Sequence, residues 1–302
     1  MARRLWYCDH HEFPLPAGHR FPVAKYRMVR ERLAVTGLFR FEPSPQADPA
    51  VIAKAHDPEY VARFMEGKLD AQAMRRIGFP WSAGLVRRTL GSVGGTLRSC
   101  DDALETGWGG NLAGGTHHAF YAEGSGFCVF NDLAVAIRHL GRRAAVIDLD
   151  VHQGDGTAQI FEQDPQVFTL SIHGEKNFPF RKRESKLDIG LADGTGDAEY
   201  LRVLEGALPR VLEFGPEVVF YQSGVDALES DTLGRLKLTA EGLARRDRLV
   251  LTACRDAGLP LVITLGGGYS SPIERTAEAH AQTFAAAARI FGASSASPAI
   301  AG

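Results

Sequence analysis

Along the second half of the chain, apolar blocks too short for helices alternate with longer helical patterns. Residues 146–151, 167–173, 217–222 and 260–265 are rich in Val, Ile, Leu and Phe at consecutive positions, as strands covered on both faces must be. Helices are expected at 133–140, after the Gly156-Thr157 turn, at 197–214, at 239–257 with Thr239 or Glu241 near its cap, and in an alanine-rich run to about Phe291 that Gly292 can cap. Strand followed by helix, repeated, predicts a parallel sheet with helices on both faces.

The first half is more broken. Leu5 to Tyr7 reads as a strand, followed by a Pro- and His-rich loop. A helix can start at Pro22, run through Tyr26, Met28, Val29 and Leu33, and stop near Gly37. Pro43, Pro45 and Pro49 break the chain before a short apolar strand, and Asp57-Pro58-Glu59-Tyr60 starts another helix. Residues 67–80 read as a polar connection, and Trp81-Ser82 opens a long helix toward Glu105. Gly91, Gly94 and Gly95 weaken that helix but let another backbone come close. Residues 174–196 form a loop long enough to suggest a function. No repeat or linker interrupts the pattern, so one domain is expected over 1–293, with a frayed tail at 294–302.

Within this pattern, Val146-Ile147-Asp148-Leu149-Asp150-Val151-His152-Gln153-Gly154-Asp155-Gly156-Thr157 stands apart. Asp148, Asp150 and His152 alternate, so an extended chain would point all three to one face. Buried strand aspartates need a cation or hydrogen-bond donors, although an Asp-rich turn closing a strand is the ordinary alternative.

Composition sets bounds. The 302 residues are 45% hydrophobic and 23% charged, with a formal net charge of -2, which offers no bulk reason to bind nucleic acid or an anionic membrane. The run Arg181 to Lys186 reads as a solvated loop. Cys8, Cys100, Cys128 and Cys254 lie far apart with no CxxC pair, so neither a zinc knuckle nor a disulfide framework is suggested. No signal-peptide core or membrane-length apolar run is present, and a cytoplasmic protein is expected. The abundance of Ala, Gly and Arg suggests a GC-rich bacterial source.

The chemically capable residues sit just after strands or in Gly-rich loops, and in open parallel sheets such positions converge on one crevice. Asp150, His152 and Asp226 suit a zinc-type site; their hard donor set leaves ferrous iron open, and Asp226 could instead close an Asx-turn. His117-His118 could supply the acid and base that metal-assisted amide hydrolysis needs, or be a plain surface pair. Each histidine would need a carboxylate on its other ring nitrogen, and Asp148 and Asp155 are the cluster aspartates left over. Tyr269, after three glycines, could donate to a developing oxyanion or simply end a turn. Phe127 and Phe178 could be core residues, with Phe127 better placed as a pocket wall.

Taken together, the His-His pair, Gly126-Phe127-Cys128 with Phe130-Asn131-Asp132, the Asp148 to Thr157 stretch, Ser171 and His173, the aspartate of Ser223-Gly224-Val225-Asp226-Ala227-Leu228, and Gly266 to Tyr269 resemble the histone deacetylase family. The similarity runs from about Leu5 to Phe291. Ile77-Gly78-Phe79-Pro80-Trp81 and Asp226 to Gly234 look most like the class IV branch and bacterial histone-deacetylase-like amidohydrolases.

The resemblance implies a single-domain α/β arginase/deacetylase fold around an eight-stranded parallel sheet. It implies zinc on Asp150, His152 and Asp226, an acid-base pair of His117 and His118 backed by Asp148 and Asp155, and Tyr269 polarising the carbonyl. Gly126, Phe127, Phe178, Gly267 and Gly268 would line the channel. Asp148, Asp150, His152, Ser171 and Ile172 would hold a monovalent cation, potassium. Two departures stand out: Ala113-Gly114-Gly115-Thr116 replaces the family's Arg-Pro-Pro-Gly, and the loop from Glu12 to Phe21 belongs to the subgroup and should shape the rim.

The implied activity is zinc-dependent removal of an acetyl or longer acyl group from N-acyl-lysine by metal-activated water. The alternative is deacetylation of acetylpolyamines or another small amine, which a carboxylate-lined rim would favour. A binding module on a silent scaffold is disfavoured because every ligand and Tyr269 are present. A ureohydrolase is disfavoured because its second metal would need ligands where the histidine pair stands.

Overall fold

The computed structural model describes residues 2–292; the tail expected at 294–302 lies outside them. The chain runs β1 (Arg3–Tyr7), α1 (Ala24–Ala34), β2 (Phe39–Pro43), α2 (Pro49–Ile52), α3 (Pro58–Met65), α4 (Ala71–Ile77), α5 (Ala83–Thr106), β3 (Trp108–Asn111) and α6 (Asp132–Leu140). It continues with β4 (Ala144–Asp148), α7 (Asp155–Phe161), β5 (Val167–Gly174), β6 (Leu187–Leu191), α8 (Asp197–Glu213), β7 (Val218–Gln222), α9 (Ala240–Asp256), β8 (Leu261–Thr264) and α10 (Glu274–Gly292).

Among the described residues eight strands pair in parallel in one sheet, ordered β2-β1-β3-β8-β7-β4-β5-β6. Successive strand residues feed opposite cores. Ile147, Tyr221 and Ile263 join one cluster with Val29, Leu33, Leu204, Val250 and Phe284 of α1, α8, α9 and α10. Val146, Phe220 and Val262 join the other with Ile52, Phe64, Val93 and Leu133 of α2, α3, α5 and α6. Continuous apolarity in the central strands follows from this burial on both faces. Among the described residues no helix is long and apolar enough to cross a membrane.

Helix starts follow side-chain capping. Asp57 accepts from the amides of Glu59 and Tyr60 with Pro58 in the first turn; Ser82 accepts from Leu85, and Thr239 from Gly242. Gly94 lies where α5 meets the backbone of residue 45, and a Cβ there would collide with the Pro45 carbonyl. The close backbone approach expected of the α5 glycines is present at Gly94, while Gly91 and Gly95 face side chains.

Several expected elements differ. The short strand placed after Pro49 is the one-turn helix α2, because Asp48 caps the Ala50 amide and Pro49 stands in the first turn. The polar connection at 67–80 contains α4, capped by Asp70. The long loop at 174–196 contains the edge strand β6, and β2 and β3 carry too many charged or glycine residues to read as strands. β4 stops at Asp148, so Asp150 and His152 lie on a turn and not on extended chain. Local bonds shape that turn: Asp148 Oδ1 accepts from the Asp150 amide, and Asp150 Oδ1 from the His152 amide.

Candidate active site

The loops after β3, β4, β7 and β8 meet at the carboxyl ends of the central strands, where open parallel sheets bind ligands. Asp132, first residue of α6, shapes the loop carrying the histidine pair. Its Oδ1 accepts from the Thr116 amide at 2.7 Å and the Thr116 hydroxyl at 2.6 Å. The amides of Leu265 and Gly266 bond the carbonyls of Ala113 and Gly114, joining this loop to the glycine loop after β8.

Asp150, His152 and Asp226 converge so that one ligating atom from each lies within 4.8 Å of the others. His152 Nδ1 stands between the two carboxylates, 2.9 Å from Asp150 Oδ1 and 3.1 Å from Asp226 Oδ2. Burial opposes a charge on His152, but these two bonds outweigh it and raise its pKa to about 10. Burial, and then the neighbouring Asp150 charge, push the Asp226 carboxyl above its usual range. Two adjacent buried carboxylates therefore gather positive charge, and an Asp-His-Asp set with oxygen and nitrogen donors fits a divalent metal ion. Gly267 permits the packing: its amide donates to Asp150 Oδ2 at 2.7 Å, and a Cβ there would collide with Asp226.

Each histidine of the pair is backed by a buried aspartate. His117 Nδ1 lies 2.7 Å from Asp148 Oδ2, and His118 Nδ1 lies 2.6 Å from Asp155 Oδ1. Those bonds place the Nδ1 hydrogens toward the carboxylates and leave both Nε2 atoms free. Burial disfavours a charged His117, but Asp148 and Asp150 prevail and raise it to about 9. Burial and then the neighbouring His117 lower His118 to about 4. The pair thus holds one proton more readily than two.

Tyr269 follows the glycine loop. Burial, then Asp150 and Asp226, hold its phenol well above its usual pKa, so it remains a donor. Sequence reasoning missed three residues that brace the site. Gln222 Nε2 donates to Asp150 Oδ2 at 3.1 Å. The fully buried Lys25 donates to the Gly266 carbonyl at 3.0 Å and lies 5.2 Å from the Tyr269 ring centre. Asp231 accepts the Tyr269 amide. A signal existed for Lys25, because it falls in the buried register of Tyr26, Val29 and Leu33 on α1. Gln222 had none beyond being polar at a strand end, and Asp231 had only its place in the Asp226 to Gly234 stretch of the family resemblance.

A cavity of about 740 Å³ opens onto Asp150, His152, His117, His118, Tyr269 and Gly267. Gly126, Phe127 and Phe178 line it, and the Phe178 ring meets His118 edge-on at 4.9 Å. Gly268 does not line it; a side chain there would meet Val225, Thr276 and His280. Phe127 has φ of 67°, strained for an aromatic residue, yet its ring is held by Phe21 and Phe79. Phe13, Arg20 and Phe21 of the loop at 12–21 also line the cavity.

Residues 19–287 match the histone deacetylase domain. The chain belongs to the histone deacetylase family. As a member, it is a hydrolase acting on amides. It is 47% identical to an uncharacterized protein of Picosynechococcus sp., over 92% of this chain and 96% of that one. Histone deacetylase RPD3 of Saccharomyces cerevisiae is 31% identical over 89% of this chain and 68% of its own length. Histone deacetylase 2 of Arabidopsis thaliana is 37% identical over 59% of this chain, a match that spans about half (48%) of its own length. The fold is shared with the crystal structure of an acetylpolyamine aminohydrolase from Burkholderia pseudomallei, at a TM-score of 0.79 and 19% identity, covering 96% of this chain and 99% of that one. The expected arginase/deacetylase fold with its eight-stranded parallel sheet is thereby borne out.

Proposed function

We propose that this deacetylase-family chain removes an acyl group from N-acyl-lysine, with a divalent metal, zinc or ferrous iron, held by Asp150, His152 and Asp226. The observation that carries the reading is the pair of histidine-aspartate couples beside the candidate ligands on the floor of an aromatic-walled cavity. When bound, the metal supplies a Lewis acid for the amide carbonyl and for the attacking water.

The chain's own residues do the rest. Gly126, Phe127 and Phe178 enclose the aliphatic arm of the lysine and exclude water from it. The Tyr269 hydroxyl donates to the carbonyl oxygen as it gains negative charge. Between them, the Nε2 atoms of His117 and His118 take a proton from water and deliver one to the departing amine. Asp148 and Asp155 hold the rings in the tautomer this requires. A monovalent cation, potassium, is proposed at Asp148, Asp150, His152, Ser171 and Ile172, in keeping with Asp148 and Ser171 facing each other across the β4–β5 ladder.

The test is acyl release by the zinc-loaded protein from lysine peptides carrying acetyl through myristoyl groups, with Tyr269→Phe and Asp226→Ala alongside. Turnover that both substitutions abolish supports the mechanism, and the chain-length profile gives the acyl preference. Absence of turnover on every peptide, with metal bound stoichiometrically, overturns the lysine reading.

A further inference from the structure

The exposed charged side chains that line the mouth of the cavity are all cations. Arg20 from the loop before α1, Arg75 and Arg76 from α4, Lys176 after β5 and Arg235 after β7 all line it, and all are exposed. Among the described residues, the only carboxylate in the lining is Asp150, on the floor. Glu123 and Asp193 pair with Arg76 and Arg235 at 3.0 and 3.1 Å. Arg20, Arg75 and Lys176 have no carboxylate within ion-pair distance among the described residues. Glu175, next to Lys176, lies beside Gly190 of β6 and does not line the cavity.

These cations come from separate segments, so no basic run in the sequence marks them. The run that does stand out, Arg181 to Lys186, contributes none of the lining. Its Lys182 instead bonds the carbonyls of Asn177 and Pro179 and braces its own loop. Beside the rim, Phe180 is 86% exposed, with its ring centre 6.4 Å from that of Phe178. It lines the exposed edge of the cavity and offers an aromatic face for the chain flanking an inserted lysine.

We infer that the mouth selects acyl-lysines flanked by acidic residues in a polypeptide and disfavours acylated polyamines. The inference rests on the deacylase reading and names the substrate class of that same site. A polyamine inserted acyl end first would bring its remaining ammonium groups against Arg20, Arg75 and Lys176, and like charges repel. Aspartate or glutamate beside the lysine would find those cations uncompensated. Exposed charges of this kind act mainly on capture, so selection should appear in KM and fade as salt shortens the screening length from about 30 Å at 0.01 M to about 3 Å at 1 M.

The experiment compares matched acetyl- and myristoyl-lysine peptides flanked by Glu, Gln or Lys, together with N-acetylspermidine, at low and high salt. Binding of the same peptides to the Tyr269→Phe protein is followed in parallel by fluorescence anisotropy. We expect Glu-flanked peptides to exceed Lys-flanked ones by about 10-fold in kcat/KM at low salt, the low end of electrostatic steering. The ratio should collapse in 1 M salt and invert in the Arg20→Glu/Arg75→Glu/Lys176→Glu variant. Equal use of the three peptides, or N-acetylspermidine as the better substrate, overturns the inference. Preferential binding of Glu-flanked peptides without hydrolysis of any would uphold the rim and sink the deacylase reading alone. Binding without charge preference, again with no hydrolysis, would sink both.

Discussion

The backbone amide of Tyr269 donates to Asp231 Oδ2 at 2.6 Å, while Asp231 Oδ1 accepts from the amides of Leu233 and Gly234 at 2.8 Å each. One carboxylate thereby ties the loop after β7, which carries Asp226, to the loop after β8, which carries the phenol. The candidate oxyanion donor is held by a residue that reaches it only through the backbone, so Asp231 is a positioning residue.

Tyr269→Phe removes the phenol without disturbing that bond. It is expected to lower kcat by roughly 10²- to 10³-fold, the usual loss for one oxyanion donor, with little change in KM. Asp231→Ala should lower kcat less, and Asp231→Asn should recover part of the loss because it keeps an acceptor oxygen. Steady-state kinetics on one acyl-lysine peptide check both. An unchanged kcat in Asp231→Ala would mean that the loop holds the phenol without this tie.

Metal content gives a second expectation. The protein, loaded and then dialysed, should retain about one divalent ion per chain, while Asp226→Ala and Asp150→Ala should lose it. Atomic emission measures this without reference to activity. Full retention by either variant would strike that residue from the ligand set.

Behind the ligand loops, the fully buried Arg246 donates to the carbonyls of Leu149, Ser223 and Gly224 and pairs with Asp247 at 2.8 Å. Asp247 in turn accepts the hydroxyls of Tyr221 and Thr283. Arg246→Leu strands a buried carboxylate and should cost about 3–5 kcal/mol in urea unfolding. Arg246→Leu/Asp247→Leu should cost less than the single change. A single variant as stable as the parent would show that the pair is not what holds these carbonyls in place.

His56 makes stability depend on pH. Its Nδ1 hydrogen points at the carbonyls of Phe120 and Tyr121, and its Nε2 accepts the Asn131 amide at 2.8 Å. Burial holds its pKa at about 4, below the usual 6.5. The unfolded chain therefore binds the proton first as pH falls, and stability drops between about pH 6.5 and 4 by on the order of 3 kcal/mol. Urea midpoints across that window should fall less steeply in His56→Gln than in the parent. Parallel curves would assign the loss to other groups.

Much of the candidate site was legible because its residues lie in short, chemically unusual runs. Asp148 to Asp155, His117-His118 and Gly266 to Tyr269 each break an apolar pattern at a strand end, and the strand-helix alternation says that such ends share a crevice. The central strands β4, β5, β7 and β8 were legible for a related reason: burial on both faces favours apolar residues at most positions. The edge strands β2 and β6 answer to a single neighbour and tolerate charge, while β3 is built largely on glycine. Their composition could not announce them.

By itself, then, the sequence determined the parallel α/β architecture, the ligand-type residues and the family resemblance, because local pattern and spacing encode those. Only the tertiary structure decided what surrounds them. Lys25, Gln222, Asp231 and Arg246 are single polar residues from distant segments, and they matter through where the fold carries them. The basic mouth is of the same kind. Arg20, Arg75, Lys176 and Arg235 are ordinary surface cations in the sequence, and they share one field only because four separate loops and helices surround one opening. Electrostatic interaction depends on distance in space, and the order of residues along the chain does not contain it.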